Sequence, residues 1–105
     1  MTTDSTYHTS VLLHESIDAL SIVPNGVYVD VTYGGGGHSK LILEKLGVDG
    51  RLFAFDQDED AFRNKVEDNR LQLIRSNFSE MQNYLRIYGI LAVDGILADL
   101  GVSSW

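Results

Sequence analysis

The sequence predicts an α/β fold built on a doubly wound parallel sheet with four strands. Three observations carry that expectation. Short apolar runs rich in β-branched residues alternate with stretches of helical periodicity, four consecutive glycines separate the first run from the helix after it, and an acid closes the second and the fourth run. The runs are nearly continuous in their hydrophobicity, as strands buried on both faces of a sheet are.

In chain order, residues 10–20 place Leu13, Ile17 and Leu20 at spacings of four and three, the pattern of a helix with one apolar face, and Pro24-Asn25-Gly26 then breaks it. Val27 to Thr32 reads as the first strand and runs toward Gly34-Gly35-Gly36-Gly37. His38 to Leu46 is helical, with Leu41, Ile42 and Leu46 on one side and Gly47 suited to end it. Arg51 to Phe55 is a second strand ending at Asp56, and Asp58 to Asp68 a helix whose acidic first turn suits the positive end of the helix dipole. Leu71 to Arg75 forms a third strand, Ser79 to Tyr88 a further helix, and Gly95 to Leu100 a fourth strand.

With 44% apolar residues in 105, the chain can bury the core of one modest domain, and no repeat or low-complexity linker divides it. The longest apolar runs, such as Gly89 to Val93, are far too short to cross a bilayer. The polar start Met1-Thr2-Thr3-Asp4 has neither the basic nor the apolar region of a secretion signal, which points to a cytoplasmic location. Cysteine is absent, and His8, His14 and His38 form no ligand pattern, so neither disulfide nor metal is expected. A formal charge of −7 argues against this segment gripping nucleic acid alone, because such affinity comes largely from Lys and Arg on phosphates.

The informative stretch is Asp30-Val-Thr-Tyr-Gly-Gly-Gly-Gly-His38. Side chains in such a turn would collide with a nucleotide-like ligand. Glycines permit positive φ and a close backbone approach, and the free N–H groups at His38 and Ser39 can hold an anionic group such as a carboxylate. Asp56 follows Gly36 by twenty positions, at the end of the next strand, where a carboxylate can accept from both ribose hydroxyls of an adenosine-containing ligand. A glycine cluster alone is more often an ordinary loop, and Asp58, Glu59 and Asp60 read as the solvated start of a helix. The succession of strand, glycines, helix and strand-end acid is what makes one cofactor pocket of Asp30, Gly34, Gly36, Gly37, His38 and Asp56. The turn departs from the nicotinamide fingerprint G-x-G-x-x-G, since Gly34 and Gly36 match but Ser39 holds the third position.

Asp30-x-Thr32-x-Gly34-x-Gly36 is similar to the first motif of Rossmann-like methyltransferases, with Thr32 in place of the first glycine, and this points to S-adenosylmethionine. Four longer segments, His8 to Glu15, Tyr28 to Ser39, Gly50 to Asp56 and Asp94-Gly-Ile-Leu-Ala-Asp-Leu-Gly-Val-Ser-Ser104, resemble the bacterial small-subunit ribosomal RNA cytosine-N4 methyltransferases in the family's order. The resemblance implies a Rossmann-like class I methyltransferase that uses S-adenosylmethionine to modify the exocyclic amine of a cytidine in 16S rRNA. It carries cofactor roles over to Gly36, Gly37, His38, Asp56, Phe78 beside the adenine and Asp99 near the methionine end. Phe78 reads equally well as a core aromatic, and Tyr33 receives no role. Ser10 stands where the family usually has proline. Members of the family are considerably longer, so residues 1–105 are expected to be a truncated N-terminal part of the cofactor domain, with the first four strands of its sheet, inactive alone, whose rRNA contacts lie mostly elsewhere. The strand order of such methyltransferases implies that the strand 95–100 lies beside 27–32 with its far edge unpaired, and an exposed apolar edge of that kind invites self-association.

Methyl transfer is an in-line displacement, so catalysis consists chiefly of holding donor and amine in a near-attack geometry. The amine of cytosine is a weak nucleophile because its lone pair is delocalised into the ring, and an acceptor on its N–H helps to localise that pair. Enzymes that methylate exocyclic amines often carry D/N-P-P-Y/F at the end of the fourth strand. Here that position reads Asp99-Leu-Gly-Val, which leaves Asp99 as a candidate catalytic residue, a cofactor ligand, both, or a solvated strand-end acid. On the residues alone, a non-catalytic S-adenosylmethionine-binding module and a nicotinamide-dependent oxidoreductase stay open as alternatives.

Overall fold

A computed structural model describes residues 15, 17–31, 37–57, 66–98 and 101–103. Strands β1 (Val27–Asp30), β2 (Arg51–Phe55), β3 (Leu71–Ile74), β4 (Gly95–Ala98) and β5 (Gly101–Ser103) form one sheet in the order β3-β2-β1-β4-β5. The first four are mutually parallel, with β1 paired to β2 from Val27↔Arg51 to Asp30↔Ala54 and to β4 from Tyr28↔Gly95 to Asp30↔Leu97. The ladder runs past the strand ends, where Val31 N–H donates to the Leu97 carbonyl at 2.9 Å and Asp56 N–H to that of Ile74 at 3.1 Å.

Helix α1 (Gly37–Lys45) follows β1, and a 3₁₀ turn (Phe78–Glu80) leads into α2 (Met81–Ile87); residues 15 and 17–20 are also helical. Because side chains alternate along a strand, the sheet has two apolar faces. Tyr28, Leu52 and Leu97 pack with Ile17, Leu20, Ile42 and Leu46 on one, and Val29, Phe53, Phe55 and Ile74 with Met81 and Leu85 on the other. The doubly wound arrangement follows from this.

Each helix end has its own stop. Past α2, Gly89 takes φ 78° and donates to the Arg86 carbonyl at 3.0 Å, while Ile90 N–H reaches back to Leu85 at 2.8 Å, the paired bonds of a Schellman cap. Past α1 the Arg70 guanidinium caps the helix, donating to the carbonyls of Leu43 at 2.9 Å and Leu46 at 2.6 Å. Asp68 holds that guanidinium through Nε at 2.9 Å and Nη2 at 2.6 Å. The bonds to Arg70 lower the Asp68 carboxyl from 3.8 to about 2.

Tyr28, buried in the central strand, fills space that two glycines leave. A Cβ at Gly26 would lie 2.6 Å from its Cε2 and one at Gly95 3.2 Å from its Cδ1, and the Tyr28 hydroxyl accepts from Val23 N–H at 2.8 Å.

The structure corrects three expectations. Residues 66–68 are not helical, because the Asp68 carboxylate accepts from Arg70 N–H at 2.9 Å and its carbonyl from Leu71 N–H at 3.1 Å, a local turn that launches β3; residues 58–65 lie outside the described residues. The helix expected from Ser79 begins as the 3₁₀ turn, whose Asn77 side chain accepts from Ser79 N–H at 3.0 Å. The strand expected over 95–100 stops at Ala98, and the chain returns antiparallel as β5, from Ala98↔Gly101 to Ile96↔Ser103. Two residues separate the strands, and only an antiparallel return can be made by so short a connection. The far edge of β4 is therefore paired rather than exposed, which removes it as a route to self-association.

Candidate cofactor site

Parallel β1 to β4 present their carboxyl ends at one edge of the sheet. The chain leaves β1 toward β2 and β3 on one side and then crosses to β4 on the other. The crevice at such a reversal is where open α/β sheets hold their ligands.

The sequence-predicted residues fall along that edge. Asp30 ends β1 with no exposed surface, and its Oδ2 accepts from Ser39 Oγ at 2.8 Å; Ser39 is equally buried. Gly37 is the first residue of α1, followed by half-buried His38. Half-buried Asp56 follows β2. Phe78, the first residue of the 3₁₀ turn after β3, is 60% exposed, which sets aside its reading as a core aromatic. Gly34, Gly36 and Asp99 lie outside the described residues; Asp99 directly follows Ala98, the last residue of β4, in the sequence.

The structure thus brings Asp30, Gly37, His38, Asp56 and Phe78 to one edge, and adds a residue whose side chain sequence reasoning missed. Ser39 was a backbone donor in that reasoning, whereas here its hydroxyl is spent on Asp30. No periodicity could flag a pair nine positions apart across a turn. The donor set suits an adenosine-containing ligand: an accessible strand-end carboxylate for the ribose, an exposed aromatic face for the base, and the start of α1 for an anionic group. Among the described residues, no cluster of three or more His, Asp or Glu could hold a metal ion, and no helix is long and apolar enough to cross a membrane. An open depression beside Gly47, Val48 and Arg70 lies at the opposite edge, and its guanidinium is committed to the end of α1.

Residues 5–105 match the model of the MraW methylase family. Ribosomal RNA small subunit methyltransferase H of Flavobacterium johnsoniae is 62% identical over 104 residues, covering 99% of this chain and 34% of that protein. The protein of the same name from Bacteroides fragilis is 60% identical over 101 residues, covering 96% and 33%. The chain spans about a third of the length of these curated relatives. Among solved structures, one described as an rRNA-methylase from Clostridium thermocellum superposes with a TM-score of 0.70 at 24% identity, covering 80% of this chain and 48% of that one. That likeness carries the fold, a Rossmann-like sheet.

Proposed function

The chain belongs to the MraW methylase family, and on that premise we propose that it forms the S-adenosylmethionine-binding portion of an enzyme that methylates the N4 amine of a cytidine in small-subunit rRNA. The observation that carries the reading is the gathering of the β1 end, the α1 start, Asp56 and Phe78 at the sheet's reversal point. S-adenosylmethionine supplies an activated methyl group on a sulfonium. Asp56 accepts from the ribose hydroxyls, Phe78 lies against the adenine, and Gly36, Gly37 and His38 let the backbone meet the methionine part. Asp99 serves the cofactor's amino group, the target amine, or both. The small-subunit rRNA is the macromolecular partner, and with a charge of −7 this segment leaves most of the RNA grip to other parts of the enzyme.

A nicotinamide cofactor is disfavoured by Ser39. Its position in the dinucleotide fingerprint calls for a glycine that packs helix on strand, and here a buried hydroxyl bonded to Asp30 stands instead. Calorimetric titration with S-adenosylmethionine and with NAD tests the reading, with heat of binding expected for the first alone. Binding of NAD in preference would overturn it.

A further inference from the structure

We propose that Ser39 is a positioning residue for the cofactor turn, acting through Asp30; the inference rests on the reading of the site just given. Asp30 is the last residue of β1 and Ser39 the third of α1, both are fully buried, and their side chains meet at 2.8 Å. The chain between them contains all four consecutive glycines. Their hydrogen bond therefore closes a loop, fixing the take-off from β1 against the landing on α1 by a contact separate from the backbone ladder. The bond satisfies the Ser39 hydroxyl, which is buried with it, so separating the pair costs free energy. Glycines impose little conformational preference of their own, so a contact that fixes both ends of a glycine-rich stretch limits the conformations open to it. Asp30, with no exposed surface, thus shapes the pocket without touching the ligand, whereas half-buried Asp56 keeps access to it.

The test compares S-adenosylmethionine affinity, by calorimetry at a temperature where circular dichroism finds each protein folded. Ser39→Ala is expected to weaken binding by about tenfold, the effect of losing one hydrogen bond to a charged acceptor. Ser39→Cys keeps the size but offers a weak donor, and is expected to lose about threefold; it decides the matter if the alanine variant does not fold. Arg70→Ala loosens the other end of the same helix and is expected to bind within about twofold of the parent, since additive effects are the rule for distant sites. In ligand-free protein, hydrogen exchange should quicken at residues 38–42 for the Ser39 variants and at 43–47 for Arg70→Ala. Parental affinity in both Ser39 variants would overturn the inference, as would an equal loss in Arg70→Ala, which would mark the effect as general destabilisation. Failure of the parent itself to bind would overturn the cofactor reading and the inference with it, an outcome distinguishable from the parent alone.

Discussion

Replacing Arg70 with alanine is expected to lower stability by about 2 kcal/mol at neutral pH. The Asp68 carboxyl sits at about 2 rather than 3.8 chiefly through its bonds to this guanidinium and secondarily through the residue-70 backbone N–H, which alanine keeps, so the guanidinium's share is worth less than about 2.5 kcal/mol at roughly 1.4 kcal/mol per pH unit. Both side chains keep 22% of their surface, and solvent screening reduces that figure to about 1 kcal/mol. The Leu43 and Leu46 carbonyls, left to water in the variant, add roughly 0.5 kcal/mol each. In a domain of this size 1 kcal/mol moves the melting temperature by roughly 4–8 °C, so a fall of about 8–16 °C is expected by circular dichroism. The folded carboxyl is depressed, so its contribution is present above roughly pH 4 and is lost as pH falls through about 2. The gap between parent and variant should narrow to about half over that window, since the helix-cap part does not titrate. A variant melting within about 2 °C of the parent at pH 7, or a gap as wide at pH 2 as at pH 7, would refute the reasoning.

Asp56→Ala should weaken S-adenosylmethionine binding by more than about tenfold, because charge-assisted hydrogen bonds are worth roughly 1.5–3 kcal/mol; unchanged affinity in a folded variant would defeat the ribose assignment. Gly26→Ala drives a Cβ to 2.6 Å from the buried Tyr28 ring and should cost about 1–3 kcal/mol in urea unfolding. Gly89→Ala, with nothing within 4 Å but φ at 78°, should cost about 1 kcal/mol from backbone conformation alone. A neutral Gly26→Ala would refute the clash with the Tyr28 ring, and a neutral Gly89→Ala the backbone strain. The 105-residue chain alone should incorporate no radiolabelled methyl into small-subunit particles; incorporation would demonstrate that the chemistry needs nothing beyond these residues.

The strands were legible because burial on both faces writes them as unbroken apolar runs, and β2 appears with the predicted bounds Arg51–Phe55. The carboxyl-edge cluster was legible for a related reason, since the residue after each strand is set by chain order alone. What escaped depends on tertiary context. Gly101-Val102-Ser103 is too short to carry a period, and its pairing with β4 could not be told from a continuation of that strand. Asp30 reads as part of the cofactor pocket; its complete burial comes from the central place of β1, which local sequence does not encode. That residues 66–68 are not helical reflects turn chemistry: the Asp68 carboxylate answers Arg70 rather than continuing a helical ladder.

The Tyr28 ring has a consequence for how this sequence can vary. Positions 26, 28 and 95 share one volume, with the ring occupying what both glycines vacate, so they constitute a coupled triplet in which no member changes freely. Alanine at Gly26 becomes acceptable only if the ring shrinks, and Tyr28→Leu beside it should recover part of the loss that either change causes alone. The recovery stays incomplete because the Tyr28 hydroxyl also satisfies Val23 N–H, which leucine would leave without that acceptor. Compensation by volume without compensation by hydrogen bonding is the expected signature of such a double variant.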